Sequence, residues 1–260
     1  MTTAYDEWAC LLDEARRSGR LLEADERPWP GLEVGDGYAV QASGRSLRLA
    51  AGEALSGWKM GFTSLAKMRQ MNLDAPIAGY LLAAMEVQAG VIRTTGWQQP
   101  KVEPEIVFRM KHDPGPAPGF REAQEAIEAV TLGVEVLDSR YVGYRFTLGE
   151  VLADNTSAAA YVLGTCWCRP DTIDLGNLGV VMTVDGQLAE AASSAAVMDH
   201  PVRALMALAR LLHARGEHLE PGQIVLTGGL TAAHPLAPGR HVVVEAQALG
   251  SITLAAAGEA

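Results

Sequence analysis

Apolar residues recur at helical spacing near the start of the chain and at strand-like spacing through most of the rest. Tyr5, Trp8, Leu11, Leu12 and Ala15 share one helix face. Thr3 with Asp6 forms a capping pattern ahead of them, and Gly19 marks a stop. Pro28, Pro30 and Gly31 read as a loop, and a second helix is expected from 37 towards 51, although Gly44 weakens it. Beyond residue 85 the period changes. Short apolar or alternating runs at 87–92, 102–110, 130–137, 178–184, 224–227, 241–246 and 251–255, punctuated by Gly and Pro, predict strands. Two helices are expected among them, at 121–130 and 199–215. The second has Pro201 in its first turn, a stripe of Val202, Leu205, Leu208 and Leu212, and Gly216 at its end. His200 belongs to that helix entry. The pattern predicts an α+β chain, with a mainly helical portion over 1–85 and a β-rich domain over 86–260.

Charge and composition then exclude several classes. A chain of 260 residues can bury a sizeable core, and its net charge of −10 with no Lys/Arg run argues against a nucleic-acid partner. No apolar run approaches the roughly 18 residues of a membrane span, and the acidic start lacks a leader pattern. Three cysteines, with Cys166 and Cys168 as a lone Cys-x-Cys, suit a reducing cytoplasm without a disulfide framework or zinc site.

The candidate chemistry lies in Lys101-Val102-Glu103-Pro104-Glu105-Ile106, with Val134-Glu135-Val136 further on. Residues two apart on a strand share a face, which sets Glu103 and Glu105 about 6.6 Å apart along the backbone. Two acids that close repel unless one is protonated or a positive charge intervenes. A hard divalent cation resolves the conflict, and Glu135 can add a third oxygen. A solvated strand face is the plainer alternative.

Further strings extend this. They are Gly57-Trp58-Lys59-Met60-Gly61-Phe62-Thr63-Ser64, Pro76-Ile77-Ala78-Gly79-Tyr80-Leu81, Lys101 to Phe108, Glu135-Val136-Leu137-Asp138-Ser139-Arg140 and Ala153-Asp154-Asn155-Thr156-Ser157. Leu226-Thr227-Gly228-Gly229-Leu230-Thr231 and Leu249-Gly250-Ser251-Ile252 complete the set. In this order they resemble the hydratase/decarboxylase branch of the fumarylacetoacetate-hydrolase superfamily, whose members break down products of aromatic ring cleavage.

The resemblance implies a mixed, twisted β-fold with an N-terminal helical portion and a Mg2+ or Mn2+ cofactor, with no organic one. The metal ligands would be Glu103, Glu105 and Glu135, and the catalytic lysine Lys59, which composition alone would leave as a surface residue. Gly61, Ser157, Thr227 and Gly228 are candidate substrate contacts. Ser157 also reads as a turn or cap, and Thr227-Gly228 as an ordinary turn. Asp154 and Asn155 are read as holding a loop, and Arg140 as pairing with a neighbouring acid. The substrate implied is a small 2-oxo acid with a conjugated double bond.

Ile77 separates the two sister reactions. The hydratases of this branch usually carry an acid there, which suits water activation and would repel a substrate's second carboxylate. An apolar Ile77 therefore points to decarboxylation of 2-oxohex-3-enedioate, as do Phe62-Thr63-Ser64-Leu65-Ala66-Lys67-Met68 and Thr227-Gly228-Gly229-Leu230-Thr231-Ala232-Ala233. Hydration of 2-hydroxypenta-2,4-dienoate is the alternative; acylpyruvate hydrolysis and a non-enzymatic subunit rank below it. The resemblance also implies a complex with the pathway hydratase and allows a homo-oligomer.

Overall fold

Helix α1 (Ala4–Ser18) starts where the capping pattern places it. Thr3 Oγ1 accepts the Asp6 amide at 3.2 Å, and Asp6 Oδ2 accepts the Thr3 amide at 2.8 Å. Gly19 closes the helix in the left-handed backbone region, at φ 64°. This computed structural model describes residues 3–29, 31–64, 68 and 75–258, so Pro30, Leu65, Ala66 and Lys67 lie outside it. The apolar face of α1 packs Trp8, Ala9 and Leu12 beside Tyr141, and Trp8 Nε1 donates to Tyr141 Oη at 3.3 Å. Helix α2 (Val34–Ala50) begins three residues before the expected position and runs straight through Gly44.

The strands form two mixed sheets. The larger contains β1 (Leu55–Gly61), β2 (Ile77–Leu82), β4 (Lys101–Met110), β5 (Ile127–Leu137), β6 (Ala158–Leu163) and β9 (Ile224–Leu226), in the order β2-β1-β9-β4-β5-β6. The two-residue β10 (His234–Pro235) adds to the start of β4. The smaller sheet runs β3-β12-β11-β7-β8, from β3 (Gly90–Arg93), β7 (Gly179–Val184), β8 (Gln187–Ser193), β11 (His241–Ala246) and β12 (Gly250–Ala257). Pairing is antiparallel except for β1 with β9 and β3 with β12. One apolar core spans both sheets and α5 (Pro201–His213), whose N-cap is His200: its Nδ1 accepts the Val202 amide at 3.2 Å.

Three sequence expectations change. β1 and β2 lie within the portion read as mainly helical and join the large sheet, so residue 85 divides no layer. The helix expected at 121–130 stops at Glu125, as α3 (Phe120–Glu125), and the chain enters β5 at Ile127. Long antiparallel pairing with β4, through the β-branched Ile127, Val130 and Thr131, outweighs the local helical pattern. Finally, β6 and β8 carry too little period-2 contrast to announce themselves.

Against α2 packs α4 (Leu148–Ala153), and the contact depends on Gly37. A Cβ added there would meet the Gly149 carbonyl oxygen at 2.3 Å, whereas one at Gly44 would meet only Tyr80 Oη at 3.8 Å and Ala9 Cβ at 4.0 Å. Gly37→Ala should therefore destabilise the protein by about 1–3 kcal/mol. Gly44→Ala, in the same helix, should stabilise it by up to about 1 kcal/mol. Urea unfolding midpoints check both, and equal effects at the two sites would contradict this packing.

Candidate metal centre

Strand register brings the acids together. β4 and β5 pair so that Glu103 stands directly opposite Glu135, and opposite residues share a face with their Cβ atoms about 5 Å apart. Glu105, two residues beyond Glu103, lies on that same face. One carboxylate oxygen from each of the three residues falls within 4.8 Å of the others. Glu105 and Glu135 are fully buried, while Glu103 is half-buried at the edge of the cluster.

Lys59 enters from β1. It is buried, its Nζ lies 3.1 Å from Glu135 Oε2, and it donates to the Thr156 carbonyl at 3.4 Å. Burial pulls the ammonium towards neutrality, but the combined charges of Glu135, Glu105 and Glu103 outweigh it and raise the Lys59 pKa. Lys59 is therefore charged. Burial, then the Glu135 charge, pushes Glu105 well above the usual carboxylate range despite Lys59. Burial likewise raises Glu135, against the pull of Lys59.

Three carboxylates against one ammonium leave two negative charges, which one divalent cation cancels. Glu105 Oε1 and Glu135 Oε1 are buried without a hydrogen-bond donor among the described residues. Buried carboxylate oxygens are costly without partners, so an all-oxygen set of this size and charge fits Mg2+ or Mn2+.

The open side of the cluster is a cavity of about 220 Å³. Lys59, Gly61, Ile77, Glu103 and Ser157, all singled out in the sequence, line it. So do Lys101, Tyr144, Phe146 and Thr231, to which that reading assigned no role. Lys101 belongs to the quoted string and shares a face with Glu103, which was the available signal. Tyr144 and Phe146 come from a connection with no such marker.

Thr227 and Gly228 do not line the cavity; they stand behind the acids. Thr227 is fully buried and its hydroxyl donates to the Ile106 carbonyl at 2.9 Å. The next amide along the chain, that of Gly228, donates to Glu105 Oε2 at 2.6 Å. The turn needs glycine, because φ is 111° and a Cβ would meet Thr63 Oγ1 at 2.0 Å. Gly228 therefore holds the Glu105 carboxylate, and Thr227 bonds the backbone of β4.

The loop holding Ser157 is unusual. Asn155, Thr156 and Ser157 all have positive φ, at 47°, 53° and 60°. The Asn155 amide pairs with both main-chain groups of Tyr80, at 2.8 and 3.0 Å, serving the free edge of β2. Asp154 is ion-paired to buried Arg140 and accepts from Ser157 Oγ at 3.3 Å. Asp154, Asn155 and Arg140 thus hold the loop, as expected, and present the Thr156 carbonyl to Lys59.

Residues 62–255 match the family model described as fumarylacetoacetate (FAA) hydrolase C-terminal. The chain belongs to the fumarylacetoacetate hydrolase family. Within that family it is 40% identical to a 4-oxalocrotonate decarboxylase from Pseudomonas sp, over 95% of this chain and 96% of the relative. A 2-hydroxyhexa-2,4-dienoate hydratase from Comamonas testosteroni is 31% identical, over 94% of each chain. The structure of 4-oxalocrotonate decarboxylase from Pseudomonas putida G7, complexed with magnesium and adipate, superposes with a TM-score of 0.93 at 36% identity, over 97% of each chain. The fold expected from the motif strings is therefore the one found.

For this family member, Glu105→Gln or Glu135→Gln should reduce Mg2+ affinity by more than the roughly 10–100-fold typical of losing an outer-sphere partner. Without metal Glu105→Gln should melt higher, because burial and the Glu135 charge disfavour the ionised Glu105. Because the Glu105 pKa is raised, metal must displace a proton, so Mg2+ affinity should fall as pH falls. Isothermal titration in buffers of different ionisation enthalpy reads both the affinity and the released protons. Unchanged affinity in both variants would place the metal elsewhere.

Proposed function

We propose that this chain decarboxylates 2-oxohex-3-enedioate to 2-hydroxypenta-2,4-dienoate, as a divalent-metal-dependent carboxy-lyase. The observation that carries the reading is the pairing of two unlike walls in one cavity. One wall holds Lys59 and Glu103, with the other two acids behind; the other is apolar, formed by Ile77, Phe62, Phe146 and Val151. Identity is higher to the relatives named 4-oxalocrotonate decarboxylase than to those named hydratase. Adipate, seen with magnesium in the related structure, is itself a six-carbon diacid.

The chemistry follows from the substrate's conjugation. When the C5–C6 bond breaks, its electron pair passes through the C3–C4 double bond to the 2-keto oxygen, and C6 leaves as carbon dioxide. A divalent cation held by Glu103, Glu105 and Glu135 supplies a Lewis acid for that oxygen. Lys59 Nζ adds a fixed positive charge beside the developing enolate, and it is the proton source for the enol oxygen. Because Lys59 is held by Glu135 and the Thr156 carbonyl, its charge is in place before reaction. Ser157 Oγ, at the cavity wall, donates to a substrate carboxylate when it leaves Asp154. The apolar wall excludes water from C5, which keeps the dienol from being hydrated.

Ile77 is the position that decides between the sister reactions. It is buried and packs on Gly61, where a Cβ would approach its Cγ1 at 3.1 Å. An acid there would lie close to the second carboxylate, and at about 4 Å the repulsion reaches roughly 4 kcal/mol at an effective dielectric near 20. The dienol product is a tautomer of the compound named in the 2-keto-4-pentenoate hydratases among its relatives. Handing it on to such a hydratase in a cytoplasmic complex completes the reading. Among the described residues no helix is long and apolar enough to cross a membrane.

Three outcomes test this. Removing metal with EDTA should abolish carbon dioxide release, and Mg2+ should restore it. Lys59→Ala should lower kcat by about 10²–10⁴-fold while Mg2+ still binds; near-normal turnover would remove the lysine from the mechanism. Ile77→Asp should raise KM for the diacid and lower decarboxylation, with both substrates followed by ultraviolet absorbance. Fast hydration by the unaltered protein, without carbon dioxide release, would replace this reading with the hydratase one.

A further inference from the structure

The cavity contains a second cation that the proposed chemistry leaves unused. Lys101 opens β4, two residues before Glu103 and on the same strand face, so one two-residue step of about 6.6 Å separates their backbone positions. Its Nζ lies 3.9 Å from the centroid of the Tyr144 ring. Tyr144 is itself fixed, since its hydroxyl donates to the Gln99 carbonyl at 3.2 Å and the Gly143 amide beside it donates to Gln99 Oε1 at 3.0 Å. A ring face orients an ammonium without neutralising it. Lys59, by contrast, is committed to Glu135 in the cluster.

A six-carbon 2-oxo diacid has the same polarity as this wall. Its 2-oxo acid end suits the acid cluster with its cation, and its far carboxylate needs a positive partner about one strand step away. We propose that Lys101, positioned by Tyr144, receives the far carboxylate and so selects 2-oxo diacids over 2-oxo monoacids. This rests on the decarboxylase reading and adds the residue that sets its substrate class. The role is one of specificity. The carboxylate loses its charge as carbon dioxide departs, so the contact is stronger in the bound substrate than in the transition state. Such a contact lowers KM and does nothing to raise kcat.

The test uses two non-reacting probes, 2-oxoadipate and 2-oxohexanoate, titrated calorimetrically into the Mg2+-loaded protein. The unaltered protein should prefer 2-oxoadipate. Lys101→Met should weaken 2-oxoadipate by about tenfold or more, the size of a lost charge-assisted contact, while 2-oxohexanoate binding stays unchanged. Lys101→Arg should keep the preference, which separates charge from fold. With the reactive diacid, Lys101→Met should raise KM and leave kcat no lower. A preference retained in Lys101→Met, or equal weakening of both probes, would overturn the role of Lys101 and leave the decarboxylase reading standing. If the unaltered protein bound neither probe, that underlying reading would fall as well.

Discussion

Three carboxylates forced into mutual contact are the constraint on which the rest of the structure depends. Their closeness is imposed by strand pairing, and removing two of them from water makes their repulsion severe. Only a broad, well-packed sheet can hold such an arrangement. The neighbouring elements act on the same problem. Lys59 on β1 supplies the compensating charge, and the Gly228 amide just beyond β9 donates to Glu105. The electrostatic energy stored here is what the proposed divalent cation would release on binding.

How much of this was legible in the sequence follows from the range over which each interaction acts. The Glu103–Glu105 relation is local, a matter of strand period, and could be read directly. Glu135 needed strand register, which no single segment encodes; the motif strings supplied it instead. Thr227 and Gly228 follow the end of β9, where alternation no longer says which side faces the cavity. Residues 127–130 followed their long-range partner on β4 rather than their helical pattern. β1 and β2 were hidden by their glycines, which weaken a strand signal yet are what allow β9 and the Asn155 loop to approach closely.

The same economy of position runs through the loop after α4. Three successive residues in the left-handed region are costly, and the cost is offset by fixed partners on every side: Arg140 on Asp154, Tyr80 on Asn155, and Lys59 on Thr156. The loop is thereby rigid at the point where it meets the cavity. A carbonyl aimed at Lys59 from a rigid turn keeps the ammonium from drifting towards solvent.

The parallel pairing of β1 with β9 gives the molecule a temporal property as well as a spatial one. Gly57 to Lys59 sit beside Ile224 to Leu226, near opposite ends of the chain, and Gly228 follows immediately. During synthesis β4 and β5 emerge early and can form their hairpin, acids included. The strand that lies between β1 and β4, and the amide that secures Glu105, leave the ribosome much later. Until then the nascent hairpin carries an uncompensated acidic cluster and an unpaired strand edge. The acidic cluster thus acquires its last described contacts only once β9 and Gly228 have been made.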